Sequence, residues 1–483
     1  MQHAPFRPRA LSAKPPAMRY VSTRGEAAPR DFESVLLAGL AEDGGLFLPE
    51  TWPVLTTDDW EELRGLPYPA LAARIIRLFT GDTFEEGVLE AMCADAYAGF
   101  TTPAVAPLVQ LDHRRFALEL FHGPTLAFKD FALQLLGRMF DHVLARRGER
   151  ITIVGATSGD TGSAAIEACK GRENLDIVIL HPEGRTSAVQ RRQMTTVLSP
   201  NVRNIAVQGD FDACQDLVKA MFNDAPFRRE MNLSAVNSIN WARIAAQIPY
   251  YVASALALGA PQCEIAFAVP TGNFGNVFAA WAARRMGLPV STLIVGANRN
   301  DILARWITGN DMTAQPVIPS LSPSMDIQVS SNFERLLFEL LGRDGARTAT
   351  AMRAFRDTGR MPIDESTWRA ATALFRGHAV SDEETIAEMR RLHAQGYPAD
   401  PHTAAGTAAS HAAPPDNPAT PIIIAATAHP AKFPDAVERA TGTRPALPPH
   451  MADLYEREER FTVLPNDLHA IESAVRAHAR RNG

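Results

Sequence analysis

The sequence predicts an α/β protein. It has two parallel-sheet domains with helices on both faces, a mostly helical N-terminal unit and a helical insert. Three observations predict this. From Pro107 onward, short apolar strand-like runs alternate with helical patterns, the rhythm of parallel strands joined by helical crossovers. "CEIAFAVP" and "IIIAAT" are apolar enough to be buried strands. Met18 to about Thr101, and again Asp311 to about Gly396, carry helical spacing with almost no strand pattern.

Residues 1–17 are basic and lack the apolar stretch of a secretory signal, so they read as a disordered tail. In the N-terminal unit, 18–105, the apolar spacing of Phe32 to Leu40 is helical, and Gly44 and Gly45 of "EDGG" are expected to stop that helix. "PALAARIIRLFTG" and "FEEGVLEAMCADAYAGF" predict two further amphipathic helices. "FALELF" then predicts a strand and "KDFALQLLGRMFDHVLARRG" a helix. "ITIVGA", "LDIVILHP" and "NVRNIAVQG" predict strands, each followed by a helix. "CEIAFAVP" and "STLIVGANRND" continue the alternation after residue 245. The insert, about 311–396, holds "STWRAATALFRGHA" and a helix opened by Ser381 and Glu384 at capping-box spacing. The expected division is a larger unit of 106–150 and 245–483, containing that insert, and a smaller unit of 151–244.

The chain has 483 residues, 46% hydrophobic and 21% charged, with a net charge of -6. An acidic balance argues against a nucleic-acid partner. No apolar run reaches the ~18–20 residues of a membrane span. The four cysteines form no CxxC pair, which argues against a disulfide framework or structural zinc and fits a cytoplasmic protein. The histidines are scattered, so no metal site is expected.

Four loops carry chemistry. "PTGNFGN" sits between a strand and a helix, and Gly272 and Gly275 let backbone N–H groups converge beside the positive end of a helix dipole. A phosphate suits that geometry, and a plain tight turn would use the same residues. "TSGDTG" has the same layout but no Walker lysine, and its donors suit a carboxylate or, equally, a turn with capping hydroxyls. In "NSINWARIAAQ", Asn237, Ser238, Asn240 and Arg243 gather donors before an apolar helix, where Arg243 clamps an anion or simply lies on the helix surface. Lys129, in "LAFKDFA", lies between phenylalanines. Burial there favours a neutral, nucleophilic amine; alone, the residue fits equally a lysine that snorkels or pairs with Asp130.

Together with "YVSTRG", "DGGLFLP", "HGPTLAFKDFA", "SSNFER", "DPHTAAG" and "TAHPAKFP", these loops resemble threonine synthases, pyridoxal-phosphate enzymes of the tryptophan synthase β-subunit fold. The resemblance runs from about Met18 to beyond Arg460. It implies that Lys129 bonds the pyridoxal 5'-phosphate cofactor as a Schiff base. It implies that Gly272, Asn273, Phe274, Gly275 and Asn276 bind the cofactor phosphate, and that the Thr427 hydroxyl faces the pyridine nitrogen. Thr157, Ser158, Gly159, Asp160 and Thr161 would hold the substrate carboxylate; Ser238, Asn240 and Arg243 would hold the substrate phosphate. The reaction implied is O-phospho-L-homoserine plus water giving L-threonine and phosphate, by a monomer or homodimer with no membrane or nucleic-acid partner. Two other readings stay open: a pyridoxal-phosphate lyase or dehydratase on another amino acid, and a silent homologue that binds phosphorylated ligands.

Overall fold

The computed structural model of the chain describes residues 18–157, 159–235 and 238–480. The expected tail, 1–17, lies outside the described residues, as do Ser158 and Asn237 of the chemical loops. In the N-terminal unit, strands β1 (Tyr20–Ser22) and β2 (Phe47–Pro49) pair antiparallel beside the helices Phe32–Ala38, Thr57–Leu63, Tyr68–Thr80 and Val88–Tyr97. The first helix ends earlier than expected. Gly39, with φ 66°, stops it at Ala38. Gly44 and Gly45 serve a close approach instead: a Cβ on Gly45 would lie 2.1 Å from Ser22 Oγ on β1.

The remaining strands, in chain order, are β3 (Leu108–Gln110), β4 (Arg115–Glu119), β5 (Ile151–Ala156), β6 (Leu175–Pro182), β7 (Val202–Gln208), β8 (Leu233–Ser234), β9 (Ile265–Pro270), β10 (Val290–Ala297), β11 (Phe375–Ala379), β12 (Ile422–Ala426) and β13 (Thr462–Pro465). The larger sheet has the order β11-β10-β9-β12-β4-β3, parallel except for β3. The smaller sheet, β13-β7-β6-β5-β8, is parallel throughout. β9, β12 and β6 are buried along their whole length, as interior strands of a sheet covered on both faces must be.

Two boundaries differ from the sequence reading. Residues 245–483 do not all join the larger unit: β13 pairs with β7, and Ile471 and Val475 of the helix Leu468–His478 enter the core of the smaller sheet. A short edge strand carries no local mark of which sheet it will extend. "LFRGHA" does not continue a helix either; after the helix Glu365–Thr372 it forms β11 on the edge of the larger sheet. The expected capping box of Ser381 and Glu384 is present. The four cysteines are free thiols, and no helix among the described residues is long and apolar enough to cross a membrane.

The two sheets meet through a helix crossing. A Cβ on Gly137 would lie 2.4 Å from the Ala168 carbonyl oxygen, so only glycine lets the helices Lys129–Arg147 and Asp160–Cys169 touch there. The contact lies about two turns from the start of each helix. Those starts are Lys129 and Asp160.

A buried ion pair fixes the N-terminal unit to the insert. Arg24 donates from Nε and Nη2 to the two oxygens of Glu334, each at 3.1 Å, and Thr23 Oγ1 donates to the same carboxylate at 2.6 Å. The Glu334 side chain is 4% exposed. Removing one partner of such a pair strands a buried charge, at a cost of about 3 kcal/mol. Arg24→Ala is therefore expected to lower the unfolding midpoint more than the double change Arg24→Ala/Glu334→Ala, measured by thermal or urea melts.

Candidate active site

The neighbours β4, β12 and β9 send their carboxyl ends to one place. Loops at such ends are where ligands bind in parallel sheets. After β12 comes Thr427; after β9 comes the loop 271–276. The chain leaving β4 turns back so that Phe128 N donates to Thr427 O at 2.9 Å and Ala127 bridges Ala428. This sets Lys129, the first residue of its helix, beside Thr427. Asp130 does not pair with Lys129. It accepts from Thr125 N at 2.8 Å and Thr125 Oγ1 at 2.6 Å and so holds the turn before the helix. Gly123 is needed there, since a Cβ would lie 2.6 Å from the Asp130 side chain. Of the flanking phenylalanines, only Phe128 walls the amine, its ring centroid 5.0 Å from Nζ. Phe131 faces away, into an aromatic core with Tyr68, Tyr97, Phe100 and Tyr250.

The glycine loop opens the helix Gly275–Arg285 through Phe274, which takes a left-handed φ of 64° and packs on Phe333 and Phe375. Asn276 Oδ1 accepts from Tyr250 OH at 2.5 Å and Tyr251 OH at 2.7 Å, while its buried Nδ2 has no partner among the described residues. Asn273 is exposed, and the Thr271 hydroxyl is turned to Val269 O at 2.7 Å. The stretch "SSNFER" braces the loop. Ser330 Oγ donates to Gly272 O at 2.6 Å, and Asn332 Nδ2 donates to both Asn273 O and Ser238 O at 3.0 Å. Arg335, fully buried, donates in turn to Asn332 Oδ1, Phe47 O and Ile239 O. Sequence reasoning quoted this stretch without giving its residues a role.

Lys129 Nζ lies 3.2 Å from Asp160 Oδ2. Asp160 is 4% exposed and has contacts from four groups, three of them hydrogen bonds and one, with Lys432, an ion pair. Besides Lys129, these come from Gln190 Nε2 at 2.9 Å, Ser324 Oγ at 3.1 Å and Lys432 Nζ at 3.0 Å. Burial alone would raise its pKa, but Lys432 and then Lys129 hold it well below the usual carboxylate range. Burial pushes the Lys129 amine below the ordinary lysine value; Asp160 opposes that shift, and Lys432 and Arg243 add to it. Gly159, with φ 145°, makes room for Gln190, whose Cδ would lie 2.5 Å from a Cβ there. Behind Ser324, His402 Nε2 accepts from the Ser324 N–H at 3.2 Å, and Nδ1 sits 2.8 Å from Asp400 Oδ1. Lys432, Gln190, Ser324 and His402 were missed. Lys432 and His402 lie inside the quoted stretches "TAHPAKFP" and "DPHTAAG", but nothing local says where their side chains go.

The arrangement corrects two expectations. Asp160 is a saturated anion and repels a substrate carboxylate, so it is not a carboxylate binder. Thr157 is committed as well, its Oγ1 accepting from Gly159 N at 3.0 Å and Gly162 N at 2.9 Å. Thr161 is half-buried. Asn240 caps the helix Trp241–Ala245 through Oδ1, and its Nδ2 donates to Leu36 O at 2.8 Å, so its amide serves the fold. Ser238 stays next to the site through its carbonyl. Arg243 is 4% exposed, its Nη1 has no partner among the described residues, and burial pushes its pKa down to about 10. A buried guanidinium with a spare donor is an anion site in waiting. Among the described residues, no group of three or more His, Cys, Asp or Glu could hold a metal ion.

These residues fit pyridoxal phosphate. A desolvated amine would meet its carbonyl, the helix start with Asn276 Nδ2 would suit its phosphate, and the Thr427 hydroxyl, which makes no hydrogen bond among the described residues, would be free for its ring nitrogen.

Comparison with known proteins agrees. Family profiles described as threonine synthase N terminus, pyridoxal-phosphate dependent enzyme, and threonine synthase, C-terminal match residues 19–97, 102–427 and 403–475. A threonine synthase from Pseudomonas aeruginosa is 55% identical over 468 residues, 96% of this chain and 99% of that one. The crystal structure of a threonine synthase from Brucella melitensis with pyridoxal phosphate bound is 51% identical, with a TM-score of 0.94 over 96% of this chain and all of that one. The yeast threonine synthase structure is 36% identical, with a TM-score of 0.91 over 96% of this chain and 99% of that one.

Burial raises the Asp130 pKa from 3.8 to about 6, against the pull of its Thr125 hydrogen bonds. The folded protein thus keeps a proton there that the unfolded chain has lost. The stability this contributes is fully present below pH 3.8 and disappears as pH rises through about 6. In thermal melts from pH 4 to about 7, Asp130→Asn is expected to gain on the wild type steadily as pH rises.

Proposed function

The chain belongs to the threonine synthases, pyridoxal-phosphate-dependent enzymes, and from that premise we propose that it converts O-phospho-L-homoserine and water to L-threonine and phosphate. One observation carries the choice of substrate: Arg243 is buried, has a donor with no partner among the described residues, and stands close enough to Lys129 for its charge to act on the amine. The glycine loop already serves one phosphate. A second buried anion site at the same amine suits a substrate that brings a phosphate of its own.

Pyridoxal phosphate, when bound, supplies the electron sink for negative charge at the substrate Cα. The protein supplies the rest. The Lys129 amine, kept below its ordinary pKa, takes the proton from Cα and serves Cβ and Cγ from one flexible tether. Arg243 binds the phosphate that leaves from Cγ. Water then gives its hydroxyl to Cβ, and Cγ ends as a methyl. Phe128 and the buried surroundings of Lys129 exclude bulk water, so the amine is not neutralised as a base by solvent protons.

Incubation with O-phosphohomoserine is expected to release threonine and phosphate in equal amounts; phosphate accompanied by 2-oxobutyrate would replace this reading with a lyase. Arg243→Ala is expected to raise KM for O-phosphohomoserine by about 10²-fold, the loss of ~2–3 kcal/mol of charge-assisted hydrogen bonding. Steady-state kinetics with the phosphorylated substrate and with homoserine as competitor measure it: homoserine, lacking phosphate, should bind poorly to the wild type.

A further inference from the structure

The chain has 48 basic residues, of which five are lysines: Lys14, Lys129, Lys170, Lys219 and Lys432. Arginine is its default cation. Two of the five lysines nevertheless meet at one carboxylate, Asp160, and both are buried. Lysine is the smaller cation and the one that can lose its proton.

The two ammonium groups are held differently. Lys432 is 0% exposed; it donates to Thr125 O at 2.7 Å and Gln193 Oε1 at 3.0 Å, and forms an ion pair with Asp160 Oδ1 at 3.0 Å. Three oxygens thus surround its ammonium, as many as it has N–H groups. Gln193 is itself fixed, donating to the same Thr125 carbonyl at 3.1 Å. Lys129 has a single acceptor among the described residues, Asp160 at 3.2 Å, and otherwise a phenylalanine ring. Losing a proton from Lys432 would remove the one cation that three buried oxygens, of Thr125, Gln193 and Asp160, share. Losing it from Lys129 releases only one side of a carboxylate that Lys432 still neutralises.

The remaining charged groups do not supply that balance. Arg243 faces Lys129 as a second cation, His402 stands behind Ser324, and Asp130 is turned to Thr125. With Lys432 absent, Asp160 would have only Lys129 as counter-ion, and the pair would hold the proton that chemistry needs removed.

We propose that Lys432 is a positioning residue: the standing counter-ion of Asp160, which lets Lys129 give up its proton without leaving a buried carboxylate unpaired. The inference rests on Lys129 being the reactive amine of the site, whichever phosphorylated amino acid it serves.

With five lysines in the chain, ¹³C labelling at lysine Cε is readable in the full-length protein. After cofactor removal, the Lys129 midpoint is expected to move up by about one pH unit or more in K432M. An unmoved midpoint in a folded K432M, judged by its circular dichroism, makes Lys432 merely structural and overturns the proposal. If K432M does not fold, D160N is compared with D160N/K432M, where the buried charges are removed as a pair. The Lys129 midpoint should then be higher in the double variant, because Lys432 no longer repels the Lys129 proton; equal midpoints overturn the proposal. None of these signals needs turnover, so a chain that shows the shifts but makes no threonine loses the substrate assignment and keeps the counter-ion.

Discussion

Asp160 carries a negative charge out of water, and a carboxylate survives there only if its lone pairs are met by cations and donors. Its partners come from every part of the molecule. Lys129 follows β4 and Lys432 follows β12 in the larger sheet, Gln190 belongs to the smaller sheet's layer, and Ser324 comes from the insert. Meeting the demands of one carboxylate therefore fixes how these parts stand relative to one another. The Gly137 and Ala168 crossing brings the helix starts of Lys129 and Asp160 together, and the ion cluster sets their final spacing. Such a cluster is poor value as stability, because desolvating each charge offsets much of the attraction. Its use is electrostatic: it sets the protonation of one amine.

A second network serves the opposite side of the site. Asn332 ties the glycine loop to the segment before Arg243, and Arg335 ties Asn332 to β2 and to Ile239. Next to Arg335 in sequence, Glu334 takes Arg24 and Thr23. Two adjacent residues of one helix thus couple the N-terminal unit to the glycine loop and to the segment before Arg243. This gives that unit a functional reason to be attached: it carries no reactive group, but it holds the backbone that does. The insert has the same character. Its residues Ser324, Ser330 and Asn332 all reach loops at the carboxyl ends of strands or the residues that follow them.

Much of this was legible in the sequence. The alternation of buried strands and amphipathic helices gave the sheets, because each strand's apolar run is a local property. Lys129 at a helix start, the glycine loop and Thr427 came from short stretches whose chemistry is local too. What was lost is non-local. The sheet that accepts β13, the strand inside "LFRGHA", and the commitment of Asn240 to Leu36 all depend on which surfaces meet. Asp160 was assigned to a carboxylate because its loop looked like a set of donors. The lysine that makes it a neutralised anion lies far along the chain.

The sequence by itself determined the architecture and the family, and it marked out Lys129, since apolar periodicity and loop chemistry are written in neighbouring residues. Only the tertiary structure decided how that residue is tuned. It did so by bringing a second buried lysine, a glutamine and a serine to one carboxylate, and by leaving Arg243 and Asn276 each with a buried donor that has no partner among the described residues. The physical reason is range. Hydrogen-bond patterns and hydrophobic period act over a few residues of chain, whereas charge and burial act through space between groups that only folding brings together.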